Sequence, residues 1–166
     1  MRALVARRLD GPDTIELIET DVPEPAAGQV RIRVTAAAVN PVDLAVSSGA
    51  PVDYGLTAAR EQYGLGWDVA GVVDAVGPGA QFQRGTPVVG VADLLAQTLK
   101  THAEYVVLNA DTVTPAPQGM ELESAATYGL NGLTALQAVK AIRGETVLIT
   151  GAAGGVGGYA VELAST

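Results

Sequence analysis

The feature that most constrains this chain is a glycine-rich turn that follows a short apolar run late in the sequence. Glu145–Thr150 is apolar, short and followed by glycine, which predicts a strand buried on both faces of a parallel sheet. Gly151, Gly154 and Gly157 then recur in a Gly-x-x-Gly-x-x-Gly spacing, and a helix is expected over Gly155–Ala164. Strand, glycine turn and helix therefore stand in the order that a dinucleotide-binding βα unit requires.

Glycine suits a phosphate site at this turn for physical reasons. It permits the tight passage from strand to helix, and its missing side chain lets the backbone approach a pyrophosphate. The helix N-terminus then offers free N–H donors and a partial positive charge to the anion. The spacing is a variant of the commoner Gly-x-Gly-x-x-Gly pattern, so by itself it leaves open a tight βα turn in another α/β protein.

The sequence changes character near residue 120. Before that point, short β-branched runs separated by glycine and proline predict a barrel or sandwich. The clearest run is Gln29–Thr35, where Val30, Ile32 and Val34 alternate with arginines. The other predicted strands are Met1–Ala6, Thr14–Ile18, Trp67–Val76, Thr86–Val91 and Glu104–Leu108, with a helical turn at Pro41–Ser48, a loop over 50–65, and helices over 121–126 and Leu133–Ile142.

Composition excludes several classes of function. The net charge is −8, with 18 acidic and 10 basic residues, which gives no basic patch for nucleic acid or for an anionic membrane surface. Cysteine is absent, so disulfides, cysteine nucleophiles and thiolate metal sites are excluded. The sequence shows neither a signal peptide nor an apolar run approaching the roughly 20 residues that span a bilayer, so a cytoplasmic protein is expected.

Five separate motifs carry a family resemblance. They are Val39–Leu44, Gly66–Gly77, Ala103–Val107, Gly132–Ala135 and Ala152–Gly157. In this order they resemble the zinc-free, NADPH:quinone oxidoreductase-like members of the medium-chain dehydrogenase/reductase superfamily, over nearly the whole chain. The resemblance implies an α/β protein: a GroES-like β-barrel domain over residues 1–120, then the first βα unit of an incomplete Rossmann domain over residues 121–166.

The same resemblance implies where the chemistry lies. Asn40 would lie at the nicotinamide end of the cofactor and take part in catalysis, and Thr134 would approach the cofactor. Tyr54 and Tyr63 fall in the loop expected to border the substrate, where Tyr54 could supply a proton and either ring could simply pack. The pyrophosphate would be held by the turn residues Ala153, Gly154, Gly155, Val156 and Gly157.

The chain departs from the zinc-containing alcohol dehydrogenases of the superfamily. Those enzymes place a cysteine near Val39-Asn40-Pro41 and a Gly-His-Glu where this chain has Gly66-Trp67-Asp68. Neither ligand is present, so no metal is expected and alcohol oxidation at a zinc ion is disfavoured. His102, the lone histidine, and Trp67 are expected to pack, while Asp43 could orient Asn40 or begin a helix.

The leading hypothesis is hydride transfer from NADPH to a quinone or another conjugated carbonyl compound. NADH is not excluded, because the residue that reads the adenosine ribose normally follows the glycine turn by about 20 residues and falls outside this sequence. One alternative is an enoyl thioester reductase of the same superfamily. Another is a non-catalytic, partner-binding remnant, or one piece of a protein completed by a missing C-terminal half; a homodimer also stays open.

Overall fold

The structure, a computed structural model, describes residues 1–93, 95, 97–144 and 146–165. We call residues 1–120 the sheet region and residues 121–165 the helical region. The strands are β1 (Arg2–Ala6), β2 (Ile15–Glu19), β3 (Gln29–Ala36), β4 (Tyr63–Gly64), β5 (Asp68–Val76), β6 (Pro87–Val91), β7 (Tyr105–Asn109) and β8 (Val113–Pro115). The helices are α1 (Pro41–Ser47), α2 (Ala50–Asp53), α3 (Leu122–Ala125), α4 (Tyr128–Ala141) and α5 (Gly155–Ala164), with short 3₁₀ turns at Pro12–Thr14 and Ala110–Thr112.

The sheet region folds into two antiparallel sheets, with strand orders β2-β1-β4 and β7-β3-β5-β6-β8. In the larger sheet β3 lies between β5 and β7, so that Ile32 faces Val73 on one side and Val106 on the other. The predicted alternation along β3 is confirmed, because Val30 and Ile32 are both fully buried in the main core cluster. Alternation thus decides which face of β3 enters the core.

The predicted loop over 50–65 was partly wrong. The segment contains the short helix α2 and the two-residue strand β4, which pairs with β1. Pro51 lies in the first turn of α2, where proline fits without loss of a hydrogen bond, and Gly49 separates α1 from α2 with a positive φ of 84°. Both elements are too short to show a hydrophobic period, so the sequence pattern could not indicate them.

The helical region differs from the prediction at one element. Helix α5 has the predicted bounds, and α4 begins at Tyr128, five residues before the predicted start at Leu133. The strand predicted over 145–150 is absent from its described part, residues 146–150, and Leu148 is 88% exposed there. A strand exists through hydrogen bonds to a neighbouring strand, and no described strand pairs with this run. Glu145 lies outside the described residues.

The two regions meet through small side chains. Ala125 of α3 and the adjacent Ala126 are buried against Ala70 of β5. Helix α4 then touches β5 and β6 on one side and packs along α5 on the other, where Ala135 and Ala160 are buried. The start of β5 and the first turn of α4 are therefore brought together at the junction, which is where the candidate site lies.

Candidate functional site

Asn40 occupies the N-cap position of α1, and its backbone is held in place. Its N–H donates to Asp43 Oδ2 at 2.8 Å, the pattern in which the third residue of a helix reaches back to the cap. The other carboxylate oxygen of Asp43 accepts the N–H of Gly66 at 2.7 Å. Asp43 therefore has both of the roles suggested by the sequence: it stabilises the start of α1, and it fixes the position of Asn40.

The Asn40 side chain is buried and turns to Asp68, the first residue of β5. Asn40 Nδ2 donates to Asp68 Oδ2 at 2.7 Å, and both residues are almost inaccessible to solvent. Burial raises the pKa of Asp68, since the interior disfavours the charged carboxylate, while the hydrogen bonds from Leu130 and Asn40 act in the opposite direction. A carboxylate is thus kept inside the fold by the donors around it.

Asp68 also caps the first turn of α4. Its Oδ1 accepts the backbone N–H of Leu130, one of the N–H groups that an α-helix leaves without an internal partner at its start. A carboxylate at this end also complements the helix dipole. Gly129 leaves the space that Asp68 occupies, because a Cβ on Gly129 would overlap the carboxylate and lie 2.9 Å from Val91 Cγ2.

Asn131 completes the arrangement. Its Nδ2 donates to Asn40 Oδ1 at 3.3 Å. The same amide lies against Gly155, the first residue of α5, where an added Cβ would be 3.0 Å from Asn131 Nδ2. We call Asn40, Asp68, Asn131 and the Leu130 N–H the amide–carboxylate network. It connects the cap of α1, the start of β5 and the glycine turn.

The glycine turn itself has the shape that the sequence predicts. Gly151 has a positive φ of 66°, and its carbonyl accepts the N–H of Gly154 at 2.9 Å. A Cβ on Gly157 would overlap the Gly151 carbonyl, so only glycine fits there. Gly154 caps α5 without a side chain, which leaves the first N–H groups of the helix open to an anion.

A cleft of about 640 Å³ lies between this turn and the first turn of α4. Asn131, Gly154 and Gly155 line it together with Tyr159, whose hydroxyl lies 2.9 Å from Thr127 Oγ1. A cleft of this size is ample for part of a nucleotide. The glycine turn therefore borders this space together with Asn131, the member of the amide–carboxylate network that lines the cleft.

The remaining predicted residues lie in different surroundings. Ala153 is exposed in the turn and Val156 is half-buried in the first turn of α5. Thr134 is exposed on α4, one turn after Asn131, and its hydroxyl donates to the Leu130 carbonyl at 2.7 Å. Tyr54 ends α2, is 80% exposed, and its hydroxyl makes no hydrogen bond to any described residue. The structure thus joins Asn40 to the glycine turn and leaves Tyr54 apart.

Two aromatic side chains considered at the sequence level have structural partners. Tyr63 is buried, and its hydroxyl accepts from the Arg60 N–H at 2.8 Å and donates to the Ala58 carbonyl at 3.0 Å. His102 Nε2 lies 3.0 Å from the Ala38 carbonyl. Packing and loop support account for both residues.

A buried lysine is a feature that the sequence did not single out. Lys100 is 2% exposed, and its Nζ lies 3.1 Å from the centre of the Trp67 ring, a close cation–π contact. Its Nζ has no hydrogen-bond partner within the described ranges. Burial lowers the pKa of Lys100 to about 7, against the attraction of Asp43, Asp93 and Asp68. Within those ranges no group of three His, Cys, Asp or Glu side chains could hold a metal ion.

Asp68 and Asn131 are the site residues that sequence reasoning missed, and Lys100 is a buried charged residue that it also missed. Asp68 could have been found from the sequence, because it begins an apolar, β-branched strand. If such a strand is buried, its carboxylate must have hydrogen-bond donors around it. Asn131 is an ordinary residue of a helical segment, and its contact with Asn40 spans 91 positions. Lys100 falls in a segment with no periodic pattern.

Comparison with known proteins gives a consistent result. Residues 26–118 match the family described as the alcohol dehydrogenase GroES-like domain. Quinone oxidoreductase from Mus musculus is 34% identical over 163 residues, which is 95% of this chain and 47% of the relative. Quinone oxidoreductase from Homo sapiens is 35% identical over 175 residues, 99% of this chain and 49% of the relative. The chain spans about half the length of these relatives.

Three solved structures have a similar fold. Each alignment covers 99% of this chain and about half of the chain in the solved structure. Quinone oxidoreductase from Coxiella burnetii has a TM-score of 0.87 at 33% identity and is covered over 53%. CurK enoyl reductase has a TM-score of 0.85 at 31% identity and is covered over 51%. The mycobacterial protein Rv1454c, solved in complex with NADPH, has a TM-score of 0.83 at 29% identity and is covered over 50%. None of the helices within the described residues is long and apolar enough to cross a membrane.

Proposed function

Because the chain belongs to the alcohol dehydrogenase GroES-like domain family and corresponds to the N-terminal half of a quinone oxidoreductase-like medium-chain dehydrogenase/reductase, we propose that it serves hydride transfer from NADPH to a quinone or another conjugated carbonyl compound. The observation that carries the proposal is the contact of Asn131 with both Asn40 and the first residue of α5, within the glycine turn. This contact joins a side-chain amide of the sheet region to an anion-binding helix start.

The residues present fit a dinucleotide. Gly157 lies so close to the Gly151 carbonyl, and Gly155 to the Asn131 amide, that neither position has room for a Cβ, and the open N–H groups at the start of α5 suit a pyrophosphate. Bound there, a nicotinamide cofactor supplies the hydride, while the protein supplies orientation and electrostatics. The NADPH complex of the similar mycobacterial protein supports NADPH as the first cofactor to test.

The chain's own residues have separate tasks in this proposal. Ala153, Gly154, Gly155, Val156 and Gly157 hold the pyrophosphate through backbone N–H groups. Asn40 orients the nicotinamide end through its amide, and Thr134 approaches the cofactor from α4. Tyr54 is proposed to deliver the proton that accompanies the hydride, because its exposed hydroxyl is free to meet a bound acceptor. Tyr54→Phe is expected to slow turnover and to leave NADPH affinity unchanged.

A second acceptor class has its own support. The similarity to CurK enoyl reductase favours an enoyl thioester as the alternative to a quinone. Both reactions use the same hydride donor, so acceptor preference is the discriminating measurement. NADPH consumption should be compared with a set of quinones and a set of enoyl thioesters at equal concentrations, and the class with the higher kcat/KM identifies the acceptor.

The test of cofactor binding uses two neighbouring glycines. Gly157→Ala places a Cβ into the Gly151 backbone and should lower NADPH affinity by about tenfold or more, since it displaces the turn that approaches the phosphates. Gly158→Ala is the matched control, because its Cβ meets nothing closer than the Ala152 carbonyl at 3.6 Å. NADPH fluorescence titration measures both. Wild-type protein that does not bind NADPH would contradict the proposal and favour a non-catalytic, partner-binding role.

A further inference from the structure

The orientation of the Asn40 amide is fixed by its two partners. A side-chain amide has two N–H donors on nitrogen and two acceptor positions on oxygen, whereas a carboxylate only accepts. Asp68 already accepts the Leu130 N–H on Oδ1, so its Oδ2 must face the nitrogen of Asn40, at 2.7 Å. The Asn40 oxygen then faces Asn131, whose nitrogen donates to it at 3.3 Å. Neither amide can be reversed without placing two donors or two acceptors together.

This arrangement leaves one N–H of Asn40 unused. Nδ2 carries two hydrogens, and a single hydrogen bond, to Asp68, is formed from it within the described part of the chain. Asn40 is 3% exposed, so little water can satisfy the second N–H. A buried donor without a partner is costly unless a ligand supplies the acceptor.

We propose that Asp68 and Asn131 are positioning residues that hold the Asn40 amide so that its free N–H meets an acceptor oxygen on the bound nucleotide. The acceptor has the chemistry of an amide carbonyl, as on a nicotinamide ring. The inference rests on the proposed function and deepens it. Because Asn131 also touches Gly155, the donor is held at a fixed separation from the glycine turn.

The anchoring of Asp68 explains how such a position is maintained. Its side chain is fully buried, and its two oxygens are tied to α1 through Asn40 and to α4 through Leu130. The Asn40 backbone is separately held by Asp43. A donor restrained at its backbone and at both side-chain atoms loses little freedom when a ligand binds, which favours affinity.

Electrostatics makes the proposal testable with one substitution. A dinucleotide is anionic, so the charge of Asp68 by itself repels it, and removing that charge should strengthen binding if Coulomb forces alone mattered. Asp68→Asn removes the charge at nearly constant size. It also sets the new amide nitrogen against the Asn40 nitrogen or forces Asn40 to turn over. Loss of the charge alone would strengthen NADPH binding, so weaker binding by Asp68→Asn would indicate that the orientation of Asn40 has been lost.

A double variant separates positioning from structural support. When Asn40→Asp is combined with Asp68→Asn, the new amide at position 68 would donate to the new carboxylate at position 40 and accept from the Leu130 N–H. That carboxylate would still accept from Asn131. Every hydrogen bond of the amide–carboxylate network and the net charge are retained, but position 40 no longer offers a side-chain N–H. Asp74→Asn, on the same strand at a residue paired with Arg31, is the control for loss of one carboxylate.

The variants are compared by NADPH fluorescence titration and by thermal unfolding. Asp68→Asn is expected to lower NADPH affinity by about tenfold or more and to lower the Tm, since a buried charged hydrogen-bond partner is lost. The double variant is expected to recover most of the Tm while its affinity stays reduced about tenfold. Asp74→Asn should bind NADPH within about twofold of wild type.

Two results would overturn the inference. One is NADPH affinity in Asp68→Asn equal to that of wild type. The other is recovery of both Tm and affinity in the double variant, which would mean that the network only supports the fold. Failure of the proposed function looks different, because wild type itself would then not bind NADPH, and the positioning role would fall with it.

Discussion

The sheet region and the helical region differ in how their apolar side chains are used. In the sheet region Val30, Ile32, Val73 and Val106 are buried against one another across paired strands. In the helical region the buried apolar residues, within the described ranges, are Ala125, Ala126, Ala135 and Ala160. Among the described residues of this region no larger apolar side chain is buried, and six are exposed: Tyr128, Leu133, Ile142, Val147, Leu148 and Val161.

The difference between the two regions shows when an apolar run forms a regular helix or strand. The helices of the helical region form from local hydrogen bonds, so they appear even though few large side chains are covered. The run before the glycine turn has the composition of a buried strand, but strand structure depends on partners from elsewhere. Local chemistry therefore fixes α4 and α5, whereas only a neighbouring strand would fix residues 146–150.

The largest expected difference between the regions is in amide exchange. The N–H groups of Ile32 and Val73 lie in the centre of the larger sheet and should exchange only on global unfolding. The amides of Thr146 and Leu148 make no strand hydrogen bonds and should exchange more than about a thousandfold faster, the minimum set by the stability of an ordinary domain. Native-state hydrogen exchange followed by NMR measures this, and comparable protection in both segments would contradict the contrast.

A pair of truncations gives the next largest effect. Ile32→Ala removes a fully buried side chain from the main core and should lower the free energy of unfolding by about 2–5 kcal/mol. Leu148→Ala, at a side chain that is 88% exposed, should change it by less than about 0.5 kcal/mol. Urea denaturation of both variants provides the measurement. A loss above about 1 kcal/mol in Leu148→Ala would show that the helical region uses this side chain after all.

A smaller expected effect is a pH dependence of the free energy of unfolding that arises from Lys100. Its pKa of about 7 in the folded protein lies below the ordinary value of 10.5, so between these values the unfolded chain holds a proton that the folded chain lacks. The free energy of unfolding should therefore rise with pH, by about 1–2 kcal/mol from pH 7 to pH 9. Lys100→Met should remove this rise and be more stable than wild type at pH 7. Urea denaturation at both pH values measures it.

Trp67 gives an independent readout of the same titration. It is the single tryptophan of the sequence, and the Lys100 amine lies over its ring. Its emission should change with a midpoint near pH 7, because the charge on the amine is lost there. Lys140→Met, at an exposed lysine of α4, controls for loss of one positive charge. A pH-independent spectrum in wild type would refute the assignment.

Much of the fold could be predicted from the sequence because its signals are local. Alternation in β3, the proline at the start of α1 and the glycine turn before α5 each act over a few residues. Helix α2 and strand β4 were exceptions, because they are too short to show a hydrophobic period. The strand predicted over 145–150 was another, because a local apolar pattern does not reveal whether a neighbouring strand is there to pair with it. The domain boundary at residue 120 stays a prediction.

The candidate site was only partly accessible to the same reasoning. Asn40 and the glycine turn came from motifs, and the roles of Asn40, Tyr54 and Thr134 stay predictions. What joins Asn40 to the turn is Asn131, 91 positions along the chain from Asn40. Contacts over such separations depend on the packing of α4 against β5, which no local pattern encodes. Lys100 was missed for the same reason, since its burial against Trp67 is a tertiary fact.

The carboxylate that caps α4 has a consequence for the order of events during synthesis. Thr127, the residue that precedes α4, makes no capping hydrogen bond through its side chain, and the acceptor comes instead from Asp68, 62 residues before Leu130. A chain emerging from the ribosome releases Asp68 first, so β5 can be in place before the first turn of α4 is made. The finished strand then acts as a template on which the later helix begins.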